Sequence, residues 1–326
     1  MIENKKNKIT EEEVILDNSL RPKSFNEFIG QKEISKIKIF VEAAQIRNEV
    51  LDHFLFYGPP GLGKTTLAFV LATEMKANLK LASGASLTKI ADLTSIITNL
   101  SEGDVLFIDE IHRLNRQVEE ILYTAMEDYA IDLVIGKGPS ARTVRIDLPK
   151  FTLVGATTLY GMVSSPLRDR FGVIHKMNYY SIEDLTEIAK RSSKILNINI
   201  DNEALSNLAS RSRGTPRIVN RLLKRIRDIS QVEKKPNINS EFVEYACNLL
   251  GIDENGLDTE DKKILTVIYK DFSGGPVGLS TLAASLLEDK GTIEVAIEPY
   301  LIKCGLLKRT SQGRVITDKG ISYINS

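Results

Sequence analysis

A phosphate-binding pattern stands at residues 58–66, where the chain reads GPPGLGKTT. The spacing G-x-x-x-x-G-K-[ST] allows backbone N–H groups to surround phosphate oxygens at the start of a helix, where the helix dipole also favours an anion. In this pattern Lys64 carries its ammonium to the β- and γ-phosphates, and the hydroxyl of Thr65 is a ligand of Mg²⁺. An apolar run, HFLFYG at 53–58, precedes the pattern, and a helical run follows it. This context predicts a site for ATP and Mg²⁺ rather than an ordinary turn.

An acidic pair, Asp109 and Glu110, closes a second apolar run, DVLFIDE. At the end of a buried strand Asp109 can hold Mg²⁺ through water, and Glu110 can orient or deprotonate an attacking water. A third apolar run, FTLVGATT at 151–158, ends in Thr157 and Thr158. Either hydroxyl can bond the γ-phosphate or the water, and Thr158 is favoured, although threonine is common in strands for its β-propensity alone. With the phosphate loop, these residues predict nucleotide hydrolysis.

Two arginines, Arg168 and Arg170, flank Asp169 in the stretch SSPLRDRFG. A guanidinium is always charged, and its planar fork fits a phosphate or a carboxylate. One of the two arginines can pair with Asp169, whereas the other needs an anion that this stretch does not contain.

Apolar strands alternate with helical runs in the first half of the chain, a pattern that predicts an α/β fold with a parallel sheet covered on both faces. The segment IDLVIGKGPSARTVRIDLP at 131–149 alternates around a Gly-Pro turn and predicts an inserted β-hairpin. After Tyr180 the pattern becomes helical, with Ser181 as an N-cap and no strand candidates, which predicts a small all-helical domain. The polar stretch at 251–261 has the composition of a linker, and the last residues predict a helix, a helix-turn-helix and a short hairpin.

The composition bounds the class of protein. The 326 residues have a formal net charge of zero, with 42% hydrophobic and 26% charged residues, which predicts two or three soluble domains and excludes a wholly basic nucleic-acid coat. Only Cys247 and Cys304 occur, and their spacing excludes a zinc site and fits a reducing cytoplasm. No 18-residue apolar run and no secretory signal are present, so we expect a cytoplasmic protein that does not bind membranes.

The motifs DEIH, GATT, SSPLRDRFG and SRGTPR follow the phosphate loop in that order, and the set resembles the AAA+ ATPases. More narrowly, the stretches DEIHRLNRQVEEILYTAMEDY, RSRGTPRIVNRLLKRIRD and GGPVGLSTLAA are similar to those of the bacterial motors that move Holliday junctions, and the similarity runs from LRPKSFNEFIGQ at 20–31 onward. The resemblance implies an AAA+ parallel-sheet ATPase domain, a small all-helical domain and a C-terminal winged helix. Their bounds are 1–181 for the large domain with its hairpin at 131–149, 182–253 for the helical lid and 256–326 for the DNA-binding head.

The same resemblance implies a homo-hexameric ring with ATP at each subunit boundary. Arg170 matches the position whose arginine reaches the γ-phosphate of the neighbour's ATP, and Arg217 matches the lid residue that contacts the γ-phosphate in its own subunit. Arg168 remains a structural residue, paired with Asp169 or a neighbouring acid. The other nucleotide contacts, implied by resemblance alone, are Leu20, Arg21, Gly61, Gly63, Thr66, Glu127, Asp128, Tyr129 and Tyr180.

For DNA, the resemblance implies wing contacts from Arg309 and Arg314. Many relatives carry proline and arginine where this chain has Ser311 and Gln312, which predicts a weaker wing contact. A second departure is Leu159, which follows GATT where relatives often have arginine. The resemblance implies that a RuvA-type junction-binding protein docks on the inserted hairpin and that a junction resolvase is a further partner. From the residues alone, the apolar face of the hairpin could equally pack on the ATPase domain.

The sequence therefore predicts an ATP-dependent motor that drives branch migration of Holliday junctions in recombination and DNA repair. One alternative is an AAA+ switch, such as a replication initiator or a clamp-loader subunit, in which ATP holds an assembly state. Another is a non-enzymatic, ATP-gated DNA-binding protein, which the combination of Lys64, Asp109, Glu110 and Arg170 disfavours.

Overall fold

The computed structural model describes residues 19–135 and 142–325, so the turn of the inserted hairpin lies outside the described part. The chain divides into two compact units between Tyr180 and Ser181. The division falls where the sequence pattern turns from alternating strands and helices to helices alone. Within the described residues, none of the helices combines the length and the apolar character needed to cross a bilayer.

The first unit is built on a parallel five-stranded sheet and an antiparallel hairpin. Its strands are β1 (Phe54–Tyr57), β2 (Leu79–Ser83), β3 (Val105–Asp109), β4 (Ala130–Ile135), β5 (Arg142–Asp147), β6 (Thr152–Thr157) and β7 (Val173–Lys176). The sheet has the order β2-β3-β6-β1-β7, and each neighbouring pair is parallel. The carboxyl ends of β1, β3 and β6 therefore meet at one edge, which is where ligands collect in such sheets.

The three central strands match the apolar runs of the sequence because both of their faces are covered, so every position can be apolar. The edge strands β2 and β7 were not predicted. Each leaves one face partly open, and Leu81 and Ile174 are exposed there, so neither strand has an uninterrupted apolar signature. Within residues 19–135 and 142–180, the α-helices that accompany the sheet are α1 (Ile34–Arg47), α2 (Lys64–Glu74), α3 (Ile90–Ile97), α4 (Arg116–Glu127) and α5 (Ser165–Arg168).

The predicted hairpin consists of β4 and β5, whose register runs from Ala130 opposite Asp147 to Ile135 opposite Arg142. Its base is part of the first unit, since Ile131 is fully buried in the hydrophobic core. Farther out, the side chain of Val144 is exposed. The described part of the hairpin therefore packs on the sheet domain through Ile131 and leaves Val144 exposed.

The second unit begins with the lid. Its elements are α6 (Ile182–Ile195), β8 (Asn199–Ile200), α7 (Asn202–Ser210), α8 (Pro216–Val232), β9 (Asn237–Ile238) and α9 (Ser240–Leu249). Side-chain oxygens of Ser181, Asp201, Thr215 and Asn239 cap the four helices, as their residue types favour. The prediction that this region contains no strand is wrong, because β8 and β9 pair in parallel. Strands of two residues are too short to show an alternating pattern.

The winged helix completes the second unit. Its elements are α10 (Thr259–Asp271), α11 (Leu279–Leu286), a π-helical turn (Thr292–Ile297), α12 (Glu298–Lys303), β10 (Leu307–Thr310), β11 (Gly313–Ile316) and α13 (Asp318–Asn325). The antiparallel pair β10–β11 is the hairpin that the sequence predicts. The apolar faces of these elements share one core with Leu257, which precedes α10.

The segment at 251–261 is a structured joint, so the prediction of a linker is wrong. The carboxylate of Asp253 accepts hydrogen bonds from the backbone of Asn255 and Leu257 at 2.9 and 2.8 Å. Gly256 has a φ of +73°, and a Cβ there would lie 2.5 Å from the carbonyl oxygen of Arg211. The backbone of the joint therefore lies directly against the backbone of the lid, which only glycine allows.

Arg213, a residue of the lid, contacts both this joint and the winged helix. Its Nε donates to the carbonyl oxygen of Gly256 at 2.8 Å, and its Nη2 pairs with Asp258 at 2.7 Å and with the fully buried carboxylate of Asp261. The guanidinium also lies over the ring of Tyr300, 5.1 Å from its centre. Lid and winged helix are consequently held together as one unit.

We expect the substitution Arg213→Ala to lower the free energy of unfolding of the second unit by about 3 kcal/mol, because it leaves the Asp261 carboxylate buried without its cation. Urea denaturation followed by circular dichroism measures the change, and protease cleavage within 251–258 should accelerate in parallel. Arg225→Ala is the matched control, since Arg225 pairs with Asp228 at the surface and should change the stability by less than about 0.5 kcal/mol. Equal effects of the two substitutions would contradict the assignment.

Candidate active site

The phosphate loop connects β1 to α2 and is shaped by glycines with positive φ. Gly58 has a φ of +143°, and a Cβ there would lie 2.5 Å from the carbonyl oxygen of Met177. Gly63, with a φ of +97°, is the N-cap of α2. The side chain of Lys64 is buried, and its Nζ donates to the carbonyl oxygens of Gly58 and Pro59 at 2.8 and 2.9 Å. The ammonium of Lys64 therefore lies against the backbone of the phosphate loop, at the start of α2.

Of the other predicted nucleotide residues, Thr65, Thr66 and Tyr180 lie in or beside this loop. Thr65 and Thr66 occupy the first turn of α2, where unpaired backbone N–H groups favour an anion. The hydroxyl of Tyr180 donates to the carbonyl oxygen of Leu62 at 3.1 Å, next to Gly61 and Gly63 in the loop. Leu20, like Tyr180, is buried, and Arg21 follows it at intermediate exposure.

Asp109 and Glu110 lie at the carboxyl end of β3. Asp109 is the last residue of the strand, and Glu110 has a φ of +50°, which is unusual for a residue other than glycine. Gly84 makes this turn possible, because a Cβ at Gly84 would lie 2.4 Å from the carbonyl oxygen of Glu110. The turn directs Glu110 away from the strand, and sequence reasoning gave no role to Gly84.

Two side chains hold the carboxylate of Glu110. The hydroxyl of Thr158 donates to Glu110 Oε2 at 3.1 Å. His112 Nδ1 lies 3.2 Å from the same oxygen and 2.8 Å from Thr157 Oγ1. Burial lowers the pKa of His112, and the neighbouring Glu110 opposes that shift. The structure thus places Thr158 beside the Glu110 carboxylate and adds His112, which sequence reasoning missed although DEIH contains it.

Arg170 lies in a second cluster with α4. Its Nη2 donates to Glu127 Oε2 at 3.1 Å, and its Nη1 donates to the carbonyl oxygen of Pro166 at 2.7 Å. The guanidinium also covers the ring of Tyr123 at 4.6 Å. The Tyr123 hydroxyl in turn donates to the buried carboxylate of Glu119 at 2.8 Å. In this structure Glu127 is therefore the anion that pairs with Arg170. The sequence analysis predicted Glu127 as a contact of the nucleotide instead.

The neighbours of this cluster are also structural. The Arg168 guanidinium lies over the ring of Tyr160 at 5.0 Å, which corrects the expectation of an acidic partner. Asp128 accepts from Arg145 at 3.2 Å, and Tyr129 packs edge-on against Phe151. Arg170 and the run from Glu127 to Tyr129 thus gather at the end of α4, whereas Lys64, Asp109 and Glu110 lie at or just after the carboxyl ends of β1 and β3. The backbone N–H of Leu159 donates to Thr157 Oγ1 at 2.9 Å.

The remaining candidates lie in the second unit. Arg217 is exposed in the first turn of α8, two residues after the cap residue Thr215. Arg309 and Arg314 face each other across β10 and β11. Arg309 is about half exposed, but Arg314 is buried against Glu298, with its Nη2 2.9 Å from Glu298 Oε2. This burial corrects the sequence prediction, because Arg314 does not offer a cation at the surface.

Three sequence models match the chain in succession. Residues 20–177 match the Holliday junction DNA helicase RuvB P-loop domain, residues 180–253 the RuvB AAA lid domain, and residues 254–325 the RuvB C-terminal winged helix domain. The chain belongs to the RuvB family. Family membership over all three regions confirms the predicted AAA+ fold with lid and winged helix, and it confirms the enzyme class, an ATP hydrolase.

Individual RuvB proteins are similar over nearly the whole length. The Holliday junction branch migration complex subunit RuvB of Fusobacterium nucleatum subsp. nucleatum is 54% identical over 312 residues, which are 95% of this chain and 94% of that protein. The solved structure of the Thermotoga maritima RuvB Holliday junction branch migration motor is 48% identical, with a TM-score of 0.86 over 94% of this chain and 98% of that one. A mutant of the same protein matches with a TM-score of 0.87 over the same shares. These similarities favour the motor over the initiator or clamp-loader alternative.

We expect His112→Ala to lower kcat for ATP by about tenfold, because Glu110 loses one of the two groups that direct its carboxylate. The KM for ATP should change little, since His112 contacts Glu110 and Thr157 rather than the phosphate loop. Steady-state ATPase assays separate the two parameters. His112→Asn, whose amide can replace the ring nitrogen, should recover much of the rate. A raised KM with an unchanged kcat would contradict this role.

Proposed function

We propose that this protein is an ATP-driven motor that moves Holliday junctions, working as a homo-hexameric ring on branched duplex DNA. The observation that carries the proposal is that Arg170 is bound by Glu127 and Pro166, whereas Lys64 is bound by the backbone of the phosphate loop. Lys64 and Glu110 follow the central strands, whereas Arg170 is held at the end of α4 by Glu127. One protomer thus supplies the phosphate loop and its neighbour supplies the arginine, so hydrolysis depends on assembly.

In this proposal each residue of the first half-site has a separate task. Lys64 binds the β- and γ-phosphates, Glu110 orients the attacking water, and Thr158 positions Glu110 or the γ-phosphate. The base and the sugar lie near Leu20 and Tyr180. The remaining contacts of this half-site are Arg21, Gly61, Gly63 and Thr66.

Mg²⁺ fits the donors at the same edge of the sheet. Thr65 follows β1, Asp109 ends β3, and both strands flank β6 with their carboxyl ends together. Hydroxyl and carboxylate oxygens are the ligands that Mg²⁺ takes alongside substrate phosphates. When bound, the ion neutralises charge that develops on the phosphates.

The second half-site acts on the neighbour's nucleotide. Arg170 stabilises the charge on the transferred phosphoryl group, an effect worth about 10³- to 10⁵-fold in kcat for arginines supplied in trans. Glu127, Asp128 and Tyr129 complete this face of the nucleotide site. To reach a phosphate, Arg170 exchanges the carboxylate of Glu127 for a phosphate oxygen.

The second unit converts the nucleotide state into movement. We assign the lid to 182–253 and the DNA-binding head to 256–326, with Arg217 contacting the γ-phosphate in its own subunit. Because Arg213 joins lid and head, a rotation that begins at Arg217 also moves the wing. Arg309 supplies the contact with DNA phosphates.

The partners follow from the same proposal. A RuvA-type junction-binding protein docks on the hairpin at 131–149, where the side chain of Val144 is exposed. A junction resolvase acts on the same assembled junction. A cytoplasmic location agrees with the free thiols of Cys247 and Cys304.

The test of the shared site mixes two inactive variants. Lys64→Ala removes the phosphate-loop cation and Arg170→Ala removes the arginine supplied in trans, so each variant alone should lose ATPase and branch-migration activity. In an equal mixture roughly a quarter of the subunit boundaries combine an intact loop with an intact arginine, and activity should return. Arg168→Ala, which changes an arginine two residues away, should remain active. A mixture with no recovered activity at any ratio would contradict a site built from two subunits.

A further inference from the structure

Four charged side chains form a cluster at the wing. Arg309 and Arg314 lie opposite each other on β10 and β11, and Glu294 and Glu298 belong to the π-helical turn and the start of α12. Two positive and two negative charges cancel formally. Both arginines of the wing are therefore already paired with carboxylates when a DNA phosphate approaches.

Glu298 is the inner member of the cluster, with only 1% of its side chain exposed. Its Oε1 accepts from Arg309 Nε at 2.9 Å, and its Oε2 accepts from Arg309 Nη2 at 3.1 Å. The same Oε2 accepts from Arg314 Nη2 at 2.9 Å and Nε at 3.2 Å. Two guanidinium forks on one buried carboxylate give charge-assisted bonds with a fixed geometry. Glu298 therefore sets the direction of Arg309.

The backbone of Arg314 is fixed as firmly as its side chain. Its N–H donates to the carbonyl oxygen of Val277 at 2.8 Å, and its carbonyl accepts from the N–H of Val277 at 2.9 Å. A Cβ at Gly275 would lie 2.4 Å from the carbonyl oxygen of Arg314, and a Cβ at Gly313 would lie 2.4 Å from that of Val277. Arg314 and Glu298 thus form the rigid base on which Arg309 rests.

Glu294 is the outer member, with 46% of its side chain exposed. Its Oε1 accepts from Arg309 Nη2 at 2.8 Å and lies 3.9 Å from Arg314 Nη2. Arg309 itself is 47% exposed. Its inner edge is bound to Glu298, so its outer edge is shared between Glu294 and the solvent.

We propose that Glu294 competes with DNA phosphate for the outer edge of Arg309, while Glu298 is the positioning residue that aims this arginine. The inference rests on the proposed contact between the wing and duplex DNA. An exposed ion pair contributes little to stability, so a phosphate can replace Glu294 at low cost, whereas the buried pair with Glu298 persists. Ser311 and Gln312 give the turn of the wing no charge that could bind a phosphate. The affinity of the wing for DNA therefore depends on this competition for Arg309.

The test compares two substitutions with opposite expected signs in the full-length chain. Glu294→Gln removes the competitor, so the affinity for a fluorescent four-way junction and for plain duplex should rise about two- to fivefold. Glu298→Gln leaves Arg309 without its fixed partner, so the affinity should fall. Fluorescence anisotropy at several salt concentrations measures both, and the salt slope of Glu294→Gln should steepen by up to about one unit.

Three further variants keep the inference falsifiable if Glu298→Gln folds poorly. Glu260→Gln removes the same charge from an exposed position on α10 and should change the affinity less than Glu294→Gln does. Arg309→Gln should weaken DNA binding, and adding it to Glu294→Gln should abolish the gain. A gain that survives in the double variant, or equal gains from Glu294→Gln and Glu260→Gln, would overturn the competition. If Arg309→Gln alone leaves the affinity unchanged, the wing contact itself is refuted and the competition with it.

Discussion

Pairs between an arginine guanidinium and a carboxylate recur at the sites of this protein described above. Arginine does not lose its proton in a folded chain, so an arginine that packs against the protein needs a group that compensates its charge. The chain meets this constraint with carboxylates. Glu127 binds Arg170, Asp258 and Asp261 bind Arg213, and Glu294 and Glu298 bind Arg309.

The exposure of the carboxylate separates permanent pairs from exchangeable ones. Asp261 and Glu298 are almost completely buried, and breaking a pair with either one leaves a charge that water cannot reach. Glu127 and Glu294 are exposed, so their arginines can pass to another anion at little cost. Structural and functional arginines therefore use the same chemistry, and burial decides which of them can change partner.

Local patterns in the sequence predicted those parts of the fold that local physics determines. The phosphate loop, the central strands β1, β3 and β6, and the two hairpins follow from glycine spacing, continuous apolar runs and alternation. The edge strands β2 and β7 escaped detection, since one face of each is open to solvent and their pattern is mixed.

Contacts between distant segments could not be predicted. The role of Gly84 depends on the approach of Glu110, and the role of His112 depends on Thr157 and Glu110 lying beside it. The same reason accounts for the joint at 251–261, whose polar composition is that of a linker. Its order comes from Arg213, a residue of the lid far away in sequence.

The contact between Gly256 and the backbone of Arg211 has a mechanical consequence. A side chain between two segments can rotate and absorb a displacement, but two backbones in direct contact cannot. The short loop that carries Arg211 and Arg213 also leads into the helix that carries Arg217. The start of that helix is therefore tied through Arg213 and Gly256 to the joint that leads into the winged helix, with no side chain between the two backbones to absorb a displacement.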